Sequence, residues 1–117
     1  MLQDDLDDEE GFPKKFYGVV TGWVLNLLDP QGLGRVQVRL PFIDDLDLSP
    51  WARIAVPSAG LLCGTYFAPK IQDEVLVAFE HGDTNSPYII GFLWNSISRP
   101  PVFSPIAPPF VQTIRTL

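Results

Sequence analysis

The stretch EVLVAFEHGDTNSPYIIGFLWN, residues 74–95, carries the only histidine of the chain. His81 follows Glu80 and precedes Gly82-Asp83. Two carboxylates around an imidazole could do general acid–base chemistry. That chemistry needs two groups converging on a substrate and a third orienting the base. Glu80 and His81 are neighbours at the end of a strand pattern, so their side chains leave opposite faces. Gly-Asp is turn chemistry. EHGD therefore reads as a polar hairpin turn.

Other reactive groups fare no better. Cys63 has no histidine or basic residue nearby in sequence to lower its pKa, and reads as a structural thiol. One cysteine allows no internal disulfide and no zinc cluster. Ser58 in VPSAG lacks the Gly-x-Ser-x-Gly elbow. Asp44, Asp45 and Asp47 could bridge a hard cation, but no EF-hand glycine or bidentate Glu stands at the right offset. They read as a solvated loop. No catalytic, cofactor-binding or metal residue is assigned, no cofactor is expected, and the chain is not expected to be an enzyme.

The elements that hold these residues are short. At 117 residues, with 46% hydrophobic content, the chain forms one domain with a modest core. Twelve Pro and nine Gly divide it into short pieces. Residues 16–27 are aromatic and β-branched, and Gly-interrupted. DPQG at 29–32 reads as a turn. In GRVQVRLPF, Val36, Val38 and Leu40 alternate with Arg35, Gln37 and Arg39, a period of two. Pro41 ends that strand or places it on an edge. WARIAVP sets Ala52, Ile54 and Val56 on one face and Trp51, Arg53 and Ala55 on the other. SAGLLCG, 58–64, reads as a loop, and TYFAP as a short extended stretch. EVLVAFE and YIIGFLWN are the remaining strands. No ten-residue amphipathic helical pattern occurs. Some five short strands predict an all-β chain, a small closed barrel or sandwich. Gly18, Gly22 and Gly91 suit its bends and bulges.

Charge is uneven. Asp4, Asp5, Asp7, Asp8, Glu9 and Glu10 are six of the 14 acids, and the other eight balance all eight Lys and Arg. Residues 1–14 read as an acidic tail, disordered or partner-docking. The start has neither a basic n-region nor an apolar h-region, so no signal peptide is expected. No apolar run approaches the roughly 18 residues of a membrane span. The rest is formally neutral, with no basic excess for a phosphate backbone. Beyond Asn95, five prolines between residues 100 and 109 force an extended path, and FVQTIRTL turns β-like again. A strand without a partner in its own chain is a liability, so that segment is expected either to pair with another chain or to belong to an element that continues beyond Leu117.

LDPQGLGRVQVRLPF, SPWARIAVPSAG, GTYFAPKIQDEVLVAFEHGDTNSPYIIGFLWN and RPP, in that order and spacing, resemble the OB-fold spike domain of contractile injection machines. That family takes in phage baseplate protein V, VgrG of type VI secretion and the spikes of extracellular injection particles. The resemblance spans about residues 15–101. One departure is Gln72, where the family usually has glycine, which allows positive φ. The resemblance implies a five-stranded OB-fold Greek-key barrel over 15–98, with 99–117 a Pro-rich exit toward a β-helix needle or partner chain. It implies a homotrimeric structural collar between hub or baseplate proteins and a needle or PAAR-type tip. Such a chain would be made in the bacterial cytoplasm and built into a phage tail or injection particle, meeting a membrane only through the needle. Arg35, Arg39, Trp51 and Arg53, opposite the apolar rows, are expected interface residues, with Phe110, Val111 and Ile114 of the exit. OB barrels also bind single-stranded nucleic acid by stacking bases on aromatics. That is the alternative reading, with Phe16, Tyr17, Trp23, Trp51, Tyr66, Phe67, Tyr88, Phe92 and Trp94 as platforms. The neutral body argues against it, and these aromatics are expected in the core or at a subunit interface.

Overall fold

The structure, a computed structural model, describes residues 15–43, 48–101 and 113–116. Its strands are β1 (Val19–Asn26), β2 (Gln37–Arg39), β3 (Arg53–Ile54), β4 (Ala59–Gly60), β5 (Cys63–Gly64), β6 (Glu74–Phe79) and β7 (Pro87–Phe92). Among the described residues the only helical piece is one 3-10 turn, Glu80–Gly82. Five strands form one curled sheet in the order β2-β1-β6-β7-β3. All neighbours run antiparallel except β3 and β7, which are parallel. The two edges of this half-barrel meet where Val36 and Ala52 exchange two backbone hydrogen bonds, of 3.0 and 2.7 Å. This is an OB-fold, as the resemblance implied.

Alternation builds the core. In β6, Val75, Val77 and Phe79 point inward while Glu74, Leu76 and Ala78 are half-buried. Val24, Val36, Val38, Leu40, Ala52 and Ile89 complete the interior. Most of the aromatics expected in the core or at an interface are not in the core. Tyr17, Tyr66, Phe67, Phe92 and Trp94 are exposed. A barrel this small is filled by β-branched side chains from alternate positions. Among the described residues Phe79 is the only aromatic that enters, with Phe16 edge-on against it at 5.9 Å between ring centres.

Two bulges curl the sheet, at Leu25 against β2 and at Ile90 against β6. Gly91 adjoins the second. Gly22 serves a close approach instead. A Cβ there would lie 2.9 Å from Leu40 Cδ2 and 3.0 Å from the Arg39 carbonyl, so β2 can cross close only over a bare backbone. Gly18 lies outside the sheet, at φ 85° just before β1.

SAGLLCG is not a plain loop. Ala59 pairs with Gly64 and Gly60 with Cys63, making a second two-stranded sheet with Leu61-Leu62 at its tip. TYFAP forms no ladder. β7 stops at Phe92, three residues short of the YIIGFLWN pattern.

The turn at 70–73 answers the question raised by Gln72. Asp73 N–H donates to the Lys70 carbonyl, and Gln72 sits at φ 75°. That is type II geometry. The side chain has thus accepted the conformation that glycine takes freely. Left-handed backbone costs an L-residue about 1–2 kcal/mol, part of which glycine returns through its freer unfolded state. Gln72→Gly should therefore raise stability by about 0.5–1 kcal/mol in urea denaturation. A lower midpoint would mean that the Gln72 side chain stabilises the turn.

Candidate interface surface

The loop between β1 and β2 is organised by one carboxylate. Asp29 accepts from the backbone N–H of Gln31, Leu33 and Arg35, at 2.9, 3.0 and 3.2 Å. It also accepts both arms of the Arg35 guanidinium, Nε at 2.9 Å and Nη2 at 2.8 Å. Gly32 and Gly34, at φ 66° and 72°, make the turns that let the loop wrap round it. Glycine takes that conformation without steric cost. The paired Arg35 side chain, and then the three N–H donors, hold the Asp29 carboxyl well below the usual carboxylate range, against the opposing effect of desolvation. Arg35 is raised in turn by the same bond. A carboxyl more acidic when folded than unfolded contributes stability above its unfolded value, near 3.9. That contribution fades as pH falls through the folded value. Stability should thus decline on acidification from about pH 5. Asp29→Asn should be less stable at neutral pH yet flatter in its pH dependence. Parallel acid titrations of both proteins would refute the assignment.

The arginines expected at the interface each lie over an aromatic ring. Arg35 is 5.6 Å from the ring centre of Trp51, Arg39 5.1 Å from Trp23 and Arg53 6.0 Å from Tyr88. The pleat causes this: Trp23 and Arg39 are register partners across β1 and β2, and Arg53 and Tyr88 across β3 and β7. Arg35, Trp51 and Arg53 line one shallow cleft of about 260 Å³, together with Glu80, Ser86 and Tyr88. Arg39 lies outside that cleft. Ile114 is exposed. Phe110 and Val111 fall outside the described residues, as do Asp44, Asp45 and Asp47.

EHGD is a turn, and it opens the hairpin connection between the antiparallel neighbours β6 and β7. Glu80, His81 and Gly82 make the 3-10 turn, with His81 at φ 50° and Gly82 at φ 77°. Asp83 N–H closes it on the Glu80 carbonyl, and Phe16 N–H donates to the Gly82 carbonyl at 2.8 Å. The Asp83 side chain accepts from Asn85 N–H at 2.9 Å. Glu80 is engaged by the Tyr88 hydroxyl, and that bond raises the Tyr88 pKa. Each carboxylate thus has a local structural partner.

Sequence reading missed two organising residues. Ser49 is buried in the seam beside β2, a short polar residue in a loop with no pattern to mark it. Asn95 fastens the exit from β7: its Nδ2 donates to Glu74 at 2.8 Å and its Oδ1 accepts from Ile97 and Ser98 N–H. The local Asn-x-x-Ser turn chemistry was the available signal.

Residues 20–94 match the family model described as the type VI secretion system/phage-baseplate injector OB domain. The chain is 36% identical over 88 residues to the type VI secretion system spike protein VgrG5 of Pseudomonas aeruginosa, covering 71% of this chain and 11% of that protein. It is 29% identical over 93 residues to the spike protein VgrG3 of Vibrio cholerae, covering 70% and 9%. With the actin cross-linking toxin VgrG1 of Vibrio cholerae it shares 32% over 76 residues, covering 62% and 7%. The chain thus spans about a tenth of the length of these relatives.

Proposed function

Because the chain belongs to the type VI secretion system/phage-baseplate injector OB domain family, we propose that it is a structural collar of a contractile injection machine. In this reading three copies form a ring. Residues 15–98 carry load between a hub above and a needle or tip below, and residues 99–117 lead the chain toward the needle. Segment 110–116 pairs across chains, and the domain performs no catalysis. The observation that carries the reading is the family match across the whole sheet, on a barrel whose polar residues are spent on turns and seams. The rigid arginine–aromatic pairs supply an ordered polar surface for neighbours at low entropic cost.

Three of the nine aromatics of the nucleic-acid alternative, Trp23, Trp51 and Tyr88, already lie under arginines, and the formally neutral body offers no basic excess beside the others. A tagged chain recovered from cells producing the machine should bring spike or baseplate partners with it. Arg39→Glu, by removing the stack on Trp23 and reversing the charge, should lower the yield of assembled particles several-fold. Recovery of the chain alone from such cells would overturn the collar reading. Undiminished particle yield would take Arg39 out of the interface.

A further inference from the structure

Four connections gather at one end of the barrel. β1 ends there at Asn26, β6 begins there at Glu74 opposite Trp23, and β7 ends there at Phe92 opposite Val75. β3 runs parallel to β7, so the chain leaves it toward the same end. The loop 27–36, the arm 55–69, the turn 70–73 and the exit from residue 93 onward therefore share that end. The arm is its most prominent part. Residues 55–68 are fourteen consecutive exposed residues without a charge. Leu61 and Leu62, the tip of the β4–β5 hairpin, are 91% and 98% exposed. Tyr66, Phe67 and Trp94 are exposed at the same end. Two-residue hairpin tips take Asn, Asp or Gly, and Leu62 holds φ 61° at a steric cost, so the turn itself does not call for leucine. An exposed apolar patch of this kind marks a contact surface.

We infer that this end of the barrel seats on a lipid bilayer, the Leu61-Leu62 tip entering the boundary between headgroups and acyl chains. Interfacial elements bury their apolar side about 5–10 Å into that boundary. The inference departs from the expectation that a membrane is met only through a needle, and it does not rest on the collar reading.

Four features select a bilayer as the partner. The first is shape. Protein interfaces anchor on side chains that fill well-packed pockets. Here the apolar side chains stand out singly from separate connections: Leu28 and Leu33 on one, Leu61 and Leu62 on another, Ile97 on a third. A fluid bilayer receives such tips without a matching surface. The second is the backbone, whose unpaired polar groups are costly in lipid. The hairpin pairs its own: Ala59 with Gly64, Gly60 with Cys63, and Thr65 N–H with the Ser58 carbonyl at 2.9 Å. The third is the aromatic set. Tyr66 and Trp94 join an apolar ring to a polar tip, the type that gathers at membrane surfaces. The fourth is charge. Among the described residues at this end, Arg35 is closed on Asp29, and the two other cations, Lys70 and Arg99, equal the two other carboxylates, Asp73 and Glu74. The attraction is therefore apolar and not electrostatic.

Flotation of the full chain with phosphatidylcholine vesicles tests this, beside Leu61→Ser/Leu62→Ser and a control, Phe42→Ser, which is 68% exposed on the turn after β2. The wild type and the control should float with the vesicles. They should do so equally in high salt and when a third of the lipid is anionic phosphatidylglycerol. The double variant should partition less by roughly tenfold or more, the value of one fully buried leucine, with an unchanged melting temperature. A polarity-sensitive dye on Cys63, the only cysteine of the chain and exposed beside the tip, should shift to the blue on vesicles. A wild type that stays in the buffer overturns the inference and leaves the collar reading standing. A double variant that floats as well as the wild type overturns it too. Flotation that requires phosphatidylglycerol and is lost in salt overturns the apolar seating. A double variant with altered solution mass and unaltered flotation would make the arm a protein contact, which also overturns it.

Discussion

Ile89→Ala should cost the barrel about 3 kcal/mol, within the range of about 2–5 kcal/mol for buried Ile-to-Ala changes. Ile89 has no exposed surface. It stands opposite Val77 on β6 and Ile54 on β3, so it joins two pairings of the sheet. Its carbonyl also accepts from Ala55 N–H at 2.8 Å, which extends the short β3–β7 ladder. The cavity left by the lost atoms would open between three strands whose backbones are tied, and so could close only partly. A domain of this size has about 5–15 kcal/mol in total. The loss should therefore be plain as a fall of about 12–24 °C in melting temperature. Ile90→Ala makes the control. Ile90 is the bulged residue beside it, 46% exposed. Its truncation should cost under about 1 kcal/mol. Equal losses at the two positions would mean that the bulge does not set which side chain faces inward.

Ser49→Ala should cost about 1–3 kcal/mol, the penalty of a buried donor left without a partner. Ser49 is 1% exposed. Its Oγ accepts from Val38 N–H at 3.0 Å and donates to the Pro50 carbonyl at 2.7 Å. Its own N–H donates to the Val38 carbonyl at 2.8 Å, and its carbonyl accepts from Gln37 Nε2 at 3.0 Å. The residue thus acts as one more rung on the free side of β2, next to the Val36–Ala52 bridge that joins the sheet edges. Alanine keeps the backbone bonds and removes the one that serves Val38 N–H, which is sealed from water. Hydrogen exchange should report this locally: the Val38 amide should lose protection far beyond the global change in stability. Protection at Val38 that falls no more than at Val77 would show that the hydroxyl does not hold the seam.

These two residues mark the boundary of what local pattern reveals. Ile89 lies in YIIGFLWN, whose apolar run announces a strand. Which of Ile89 and Ile90 faces inward depends on a bulge, and a one-residue shift exchanges the faces. Ser49 has no local signature, because its partner on β2 is eleven residues away and the two meet only when the barrel curls. Gln72 was legible in the opposite sense. The position asked for glycine, and the structure shows the glutamine bent to the same positive φ.

The candidate surface divides in the same way. That Arg35, Arg39 and Arg53 leave the apolar face follows from a period of two. Their pairing with Trp51, Trp23 and Tyr88 needs strand register, which joins residues from distant parts of the chain. The hairpin in SAGLLCG escaped notice because Leu-Leu carries no turn signal and two-residue strands show no period.

The class of fold, the strands of the sheet, the turn nature of EHGD and the family were therefore all legible in the chain of residues. Those depend on local alternation, on Gly and Pro, and on motifs in order along the chain. Three things emerged only on folding: the edges meet at Val36 and Ala52, the core is aliphatic but for Phe79, and Leu61 and Leu62 stand in solvent. Burial is a property of how strands curl round one another, and no local pattern encodes that closure.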